Sequence, residues 1–287
     1  MTAPPSPART AALTALAMIA FAANSLLCRM ALQAPALIDP ASFSSIRLVS
    51  GALMLALIVR LGPGRRAAPH ADWPAAAMLF AYVALFSFAY LTLKAATGAL
   101  VLFGAVQLTM FSAGLWRGER FAPMAWLGLA VAAGGLVYLV SPGLAAPPLA
   151  GAALMAGAGV AWGVYSLRGR GVADPLAATA GNFARATPLA LAVSLLLPAQ
   201  THADLAGIAL AVASGAVTSG IGYVIWYAAL PGLSAMRAAT VQLSVPPIAA
   251  LGGVILLSEA VSVRLALASV AILGGIALVL TSRARRG

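Results

Sequence analysis

The sequence predicts an all-α integral membrane protein of ten transmembrane helices, arranged as a five-plus-five inverted-topology repeat. Three observations lead to that fold class. Hydrophobic residues make up 62% of the 287 residues and charged residues only 8%, too little charge to keep a soluble domain of this size wet. The apolar residues come in runs of roughly 20, the length that crosses a bilayer core, and not in alternating or amphipathic stripes. Finally, the two halves echo one another in order along the chain.

The runs fall near 11–32, 43–61, 74–93, 97–116, 122–140, 150–168, 177–197, 205–227, 235–257 and 263–281. In the first, Ala20-Phe21-Ala22 has the small-residue form of a leader cleavage site. The apolar stretch continues past it, so a retained first span is expected. Connections are short: Pro35, Asp39-Pro40, Gly62-Pro63-Gly64, Ser141-Pro142-Gly143, Pro147-Pro148 and Asp174-Pro175 read as turns. No linker is long enough to separate soluble domains. Pro188 and Pro246-Pro247 are expected to kink the seventh and ninth spans. Gly114-x-x-x-Gly118 and Gly159-x-x-x-Gly163 allow close approach of helices.

The formal charge of +11 raises the question of nucleic acid. Its distribution answers it, because the basic residues stand singly or in pairs between apolar runs, with no aromatic-interleaved basic stripe. With ten spans, Arg9, Arg60, Arg65, Arg66, Arg117, Arg120, Arg168, Arg170, Arg237, Arg283, Arg285 and Arg286 share one side, and Lys94 and Arg264 are the main exceptions. The positive-inside bias then places both termini in the cytoplasm. Cys28 is the one cysteine, so no intramolecular disulfide and no thiolate metal cluster can form.

The echo between halves is read in four places. Val106-Gln107-Leu108-Thr109 is matched by Val241-Gln242-Leu243-Ser244, and the stretch ending in Glu119 by the one ending in Glu259. Gly134-Gly135 is matched by Gly274-Gly275, and Arg47 by Arg185. Five spans per half is an odd number, so the second half enters the membrane from the opposite side. The expected units are residues 1–143 and 144–287.

These features resemble the drug/metabolite transporter superfamily, EamA type, over essentially the whole chain. The resemblance rests on Pro40, Phe43 and Arg47 opening the second span, on Glu119 and Glu259 after the fourth and ninth, and on the two glycine pairs. Trp162-Gly163-Val164-Tyr165 and Phe80-Ala81-Tyr82 are similar to the aromatic amino-acid exporters of the YddG type, while Thr109-Met110 stands where those exporters have an aromatic–proline pair. The resemblance implies a carrier of amino acids, aromatic ones included, and of related amphipathic metabolites, working by alternating access in a bacterial inner membrane. Carriers of sugars, nucleotides or cationic drugs from the same superfamily remain the alternative, with an intramembrane enzyme more remote. No cofactor, no metal and no nucleic acid is expected, and the chain is expected to act as a monomer in the lipid bilayer.

The residues themselves supply candidates for a site. No catalytic constellation is present: His70 and His202 lie in loops on opposite sides, and Asp39, Asp72, Asp174 and Asp204 are all in loops. The lack of acids within spans argues against proton coupling, since carriers driven by protons keep an ionisable group near the midplane. Asn24, Gln107 and Gln242 are amides deep in spans, where an unpaired amide is costly. They serve either as interhelical hydrogen bonds or as pocket groups. Tyr82, Phe86, Trp162 and Tyr165 are deep aromatics expected to wall a pocket for an amphipathic solute. Tyr82, Gln107, Trp162 and Gln242 are expected to share one central cavity. Trp73, Trp116, Trp226 and Tyr227 read as interfacial anchors. Arg185 is the charge expected deepest in a span, with a scaffold role, and Arg29 and Arg47 are expected nearer the outer interface, snorkelling.

Overall fold

The computed structural model describes residues 6–62, 72–143, 146–170, 172–197, 201–233 and 235–282. Pro63, Gly64, Arg65, Arg66, His70, Arg283, Arg285 and Arg286 lie outside these residues, as do the readings made on them. Among the described residues the regular structure is helical: α1 (Pro7–Leu32), α2 (Pro40–Leu61), α3 (Trp73–Ala89), α4 (Ala95–Trp116), α5 (Pro123–Val140), α6 (Leu149–Arg168), α7 (Pro175–Leu196), α8 (Leu205–Val212), α9 (Gly222–Ala229), α10 (Ala235–Val241), α11 (Val245–Leu257) and α12 (Val263–Ser282). A π-helical segment, Ala213–Ile221, joins α8 to α9 in one rod, and a 3-10 turn, Gln242–Ser244, joins α10 to α11. Among the described residues, eight helices are long and apolar enough to cross a membrane. α3, at 17 residues, is apolar but shorter. α7 has 22 residues but carries Thr179, Asn182, Arg185 and Thr187.

The two Asp-Pro pairs read as turns are helix starts. Asp39 and Asp174 are N-caps with proline at the first helical position, where a missing N–H costs nothing and the backbone angle is already helical. The Asp39 carboxylate accepts from Ala41 N and Ser42 N, at 3.0 and 2.9 Å. Asp72 caps α3 by accepting from Ala75 N at 2.6 Å. Such caps satisfy helix N–H groups that have no partner within the helix.

Successive rods run antiparallel, so the bundle has two ends. The proximal end is the one where α1 begins; it gathers Pro7, Asp72, Arg168 and Gly232. The distal end gathers Arg29, Asp39, Glu259 and Arg264. There Asp39 N donates to His202 O (2.9 Å), Asp204 N donates to Leu37 O (2.8 Å), and Arg264 Nη1 donates to Ser141 O. α3 packs on α6, and the α8–α9 rod packs on α1. α4 packs on α6, α11 on α1, α2 on α7, and α5 on α12.

Small residues set these approaches. On α6, a Cβ on Gly159 would lie 2.6 Å from Leu102 O, and one on Gly163 would lie 2.9 Å from Thr109 Cβ. At the crossing of α5 and α12, Gly128 and Gly275 face each other, and a Cβ on either would meet the other's carbonyl oxygen at 2.5 Å. Outward-facing positions are large and apolar, such as Leu53 at 68% and Val270 at 74% exposed, as a lipid-facing surface requires and a water-facing one does not.

Candidate functional site

Two adjoining cavities lie at the centre of the bundle. The inner chamber, about 40 Å³, is enclosed by Phe21 and Asn24 of α1, Arg47 of α2, Tyr82 and Phe86 of α3, and Trp162 of α6, with Thr218, Tyr223 and Gln242 from the second half. The vestibule, about 530 Å³, leads toward the proximal end, where Asp72, Arg168 and Arg170 border it. Phe21, Trp162, Tyr223 and Gln242 border both spaces and form the neck between them.

The aromatic wall is a column of rings. Tyr90 meets Phe86 edge-on at 4.8 Å between centroids, Phe86 meets Tyr82 at 5.4 Å, and Tyr82 meets Trp162 at 4.9 Å. Trp162 stacks on Tyr223 (5.8 Å, 21°), and Tyr223 stacks on Tyr227 (6.2 Å, 20°). Tyr82, Phe86 and Tyr90 reach this line because residues four apart share a helix face.

The polar wall is built on the π-helical segment. Asn24 Oδ1 accepts from Ser214 Oγ at 2.7 Å and from Thr218 Oγ1 at 3.4 Å, while its Nδ2 donates to Tyr82 Oη at 3.5 Å. Widened helical turns of this kind recur at functional sites. Gly215 in the same segment lets α2 come close, for a Cβ there would collide with Arg47 O and Ser50 Oγ. That approach carries Arg47 into the core. Its side chain is 1% exposed, and the guanidinium lies 5.3 Å from the Tyr82 ring centre and 5.1 Å from that of Phe86. Nη2 donates to Tyr82 Oη at 3.2 Å, whereas Nε and Nη1 have no hydrogen-bond partner.

Gln242 sits at the break between α10 and α11. Pro246 explains the break: proline removes one intrahelical hydrogen bond and clashes with the carbonyl four residues earlier, which is that of Gln242. The expected kink is therefore a 3-10 turn one helical turn before the prolines. The Gln242 amide bridges chamber and vestibule, with Nε2 donating to Ala238 O at 3.0 Å.

The seven expected site residues divide between the two spaces. Asn24, Tyr82 and Phe86 line the chamber, Gln107 and Tyr165 line the vestibule, and Trp162 and Gln242 line both. The expectation of one cavity shared by Tyr82 and Gln107 is thus replaced by two joined ones, because Gln107 lies over a turn beyond Leu102 and Phe103, the chamber residues of α4. Arg47 does not snorkel; it is fully buried, and Arg185 is only half-buried. Trp226 and Tyr227 are not interfacial anchors. They line the vestibule, and Tyr227 Oη shares a 2.8 Å hydrogen bond with Thr179 Oγ1. Trp73 and Trp116, at 58% and 90% exposed, do sit at helix ends as anchors do.

The proximal mouth carries an ion pair, Arg168 Nη2 to Asp72 Oδ2 at 2.5 Å. The hydrogen bond from Arg168 holds the Asp72 carboxyl below the usual carboxylate range. Both side chains are nearly half-exposed, so water screens the pair and its contribution to stability is small.

Known proteins share this architecture. Residues 149–281 match the EamA-like transporter family. The chain is 54% identical over 278 residues to an uncharacterized protein of Pseudomonas aeruginosa (strain PAO1), an alignment spanning 97% of this chain and 96% of that one. A protein solved as a crystal structure superposes with a TM-score of 0.68 at 21% identity, covering 98% of this chain and 100% of its own, which is a likeness of fold. Residues 149–281 are therefore an EamA-like transporter domain, of the drug/metabolite transporter superfamily.

Proposed function

We propose that the protein carries amino acids, aromatic ones among them, and related amphipathic metabolites across the bacterial inner membrane by alternating access. The observation that carries this reading is the pair of joined spaces, walled by stacked rings and a few amide and hydroxyl groups, leading toward the proximal end of the bundle. Rings with a small number of placed polar groups suit a solute that is apolar at one end and polar at the other. The vestibule volume of about 530 Å³ falls in the range of small-molecule sites.

In this reading the chain crosses the membrane ten times, with both termini in the cytoplasm and the vestibule facing inward. Residues 1–143 and 144–287 are the two inverted repeats. The packing pairs support it: α3 on α6 corresponds to the α8–α9 rod on α1, and α4 on α6 to α11 on α1. α2 with α7 and α5 with α12 are each a helix paired with its own counterpart. α7 can cross despite its polar residues because Thr179 and Asn182 are buried and face protein, not lipid. Substrate counterflow in liposomes containing only this protein tests the function. Exchange of phenylalanine, tryptophan or related amino acids is expected, and no exchange of quaternary cations. Exchange of sugars or cations in place of amino acids would overturn the substrate reading, and no exchange of any solute would overturn transport.

A further inference from the structure

The transport reading says what class of solute enters, and it leaves Arg47 unexplained. This guanidinium is buried in the core of the bundle, where a charge without a partner is among the costliest features a fold can hold. The ring faces of Tyr82 and Phe86 and the Tyr82 hydroxyl offset part of that cost. Nε and Nη1 remain unsatisfied, and Nη2 donates one of its two N–H groups to Tyr82, so both edges of the guanidinium, Nε with Nη2 and Nη1 with Nη2, keep N–H donors for the oxygens of a carboxylate. The chain supplies no such group. Asp39, Asp72, Asp174 and Asp204 cap helices at the ends of the bundle, Glu119 follows α4, and Glu259 is held by Arg29. A buried cation that lines a cavity and lacks an acid of its own is completed by an anion that comes and goes.

We infer that Arg47 is the anchor for the carboxylate of the transported solute, which enters the chamber carboxylate first. The inference rests on the transport reading and adds to it the group that is recognised and the direction in which the solute lies. The volumes set that direction. About 40 Å³ is room for a few water molecules or a carboxylate. The body of the solute must then remain at the neck and in the vestibule, where the faces of Trp162 and Tyr223 stand ready to stack on a ring. Among the described residues lining the chamber no second cation competes for the carboxylate.

Four probes separate the contributions: phenylalanine, 3-phenylpropionate (no amine), phenethylamine (no carboxylate) and sodium chloride. In liposomes containing the full chain, 3-phenylpropionate is expected to compete with phenylalanine for uptake, and phenethylamine is expected to compete at least ten-fold more weakly. Arg47→Gln is expected to lower phenylalanine uptake roughly ten- to a hundred-fold, the value of one charge-assisted bidentate contact, and to abolish the preference for 3-phenylpropionate over phenethylamine. A variant that merely failed to pack would lose uptake without changing that preference. A second measurement is independent of flux: the melting temperature of the detergent-solubilised wild-type protein should rise with 3-phenylpropionate and stay unchanged with phenethylamine or with chloride alone. Equal effects of 3-phenylpropionate and phenethylamine, or a chloride effect as large as that of 3-phenylpropionate, would overturn the inference even where transport stands. A carboxylate-dependent melting shift without any flux would leave the Arg47 site in place and overturn transport instead.

Discussion

Arg29 Nε lies 3.2 Å from Glu259 Oε1, joining residues 230 positions apart at the distal end of the bundle. The pair ties four elements. Glu259 Oε2 accepts from Ala95 N at 2.9 Å, at the start of α4, and Arg29 Nη1 donates to Tyr90 O at 2.9 Å, just after α3. Ser258 makes this possible by ending α11 in the left-handed conformation (φ 52°), so that Glu259 N bonds back to Gly253 O at 3.0 Å and the chain turns inward. The side chains are 16% and 9% exposed, a shielding that keeps the attraction strong. The alternating access proposed above requires this end to open, and opening would break this pair.

Glu259→Gln keeps an acceptor for Ala95 N but removes the charge that faces Arg29. Cys28, the neighbour of Arg29, is fully buried and is the chain's one thiol, which makes it a built-in reporter of distal opening. Maleimide labelling of Cys28 is expected to run about ten-fold faster in the variant, as loss of a charged hydrogen bond worth on the order of 1.5 kcal/mol implies. An unchanged rate would show that other contacts close this end.

The paired glycines of α12 should behave oppositely. A Cβ on Gly275 would stand 2.5 Å from Gly128 O and 2.6 Å from Ala132 N, both backbone atoms that cannot step aside, whereas Gly274 has open space around it. Gly275→Ala is expected to cost roughly 1–3 kcal/mol of stability by overpacking. Gly274→Ala is expected to be neutral or to gain up to about 1 kcal/mol from helix propensity. Melting in detergent checks both, and equal melting temperatures for the two variants would contradict the close crossing of α5 and α12.

Helices and their ends were legible in the sequence; the interior was legible only in part. Apolar runs of bilayer length and Asp-Pro starts leave local marks, and the helices begin within a few residues of the expected positions. Arg47 shows where that reading stops. Counting from Pro40 placed it near an interface, yet Phe43, Arg47 and Gly51 recur every fourth residue, and such a row shares one helix face. Gly51 was the signal that this face is packed: a Cβ there would lie 2.6 Å from the ring of Phe183. The π-helical segment left no comparable mark. Ser214 and Thr218 reach Asn24 from within that widened stretch, and the sequence carries the small residues that permit the widening but not the widening itself.

Sidedness follows from charge. Among the described residues, Arg9, Arg60, Arg117, Arg120, Arg168, Arg170 and Arg237 lie at the proximal end, against Arg29, Lys94 and Arg264 at the distal one. Arginine-rich loops stay in the cytoplasm. Reporters fused at residue 287 and near Pro142 are therefore expected on opposite sides of the membrane, with residue 287 inside. Signals from the same side would contradict an odd number of crossings between Pro142 and the end of α12.

Uptake is expected to be independent of a proton gradient. Outside the spans the Asp72 carboxyl is held below the usual carboxylate range, chiefly by the hydrogen bond from Arg168. A depressed carboxyl contributes its stabilisation above its unfolded value, near 3.9, and loses it only as pH falls through the still lower folded value. Between pH 5 and 8 the Asp72–Arg168 pair therefore stays charged. Asp72→Asn should leave the pH profile of uptake flat across that window, and flux should persist when an ionophore collapses the gradient. Flux that stops in intact liposomes would show a coupled proton.

Trp162 and Gln107 separate the neck from the vestibule. Trp162 touches Tyr82, Tyr165 and Tyr223 and borders both spaces, so every solute that reaches the chamber passes its face. Gln107 borders the vestibule and stays half-buried, where water can replace a lost amide contact. Trp162→Ala is expected to lower uptake of aromatic amino acids by roughly ten- to a hundred-fold, since stacking and the burial of a large ring together are worth about 1.5–3 kcal/mol. Gln107→Ala is expected to lower it only a few-fold, because a partly hydrated hydrogen bond contributes about 0.5–1 kcal/mol. Liposome uptake, with melting in detergent to confirm folding, measures both. The order of the two effects is the test: a larger loss from Gln107→Ala than from Trp162→Ala, with both variants folded, would move the binding position out of the neck and into the vestibule.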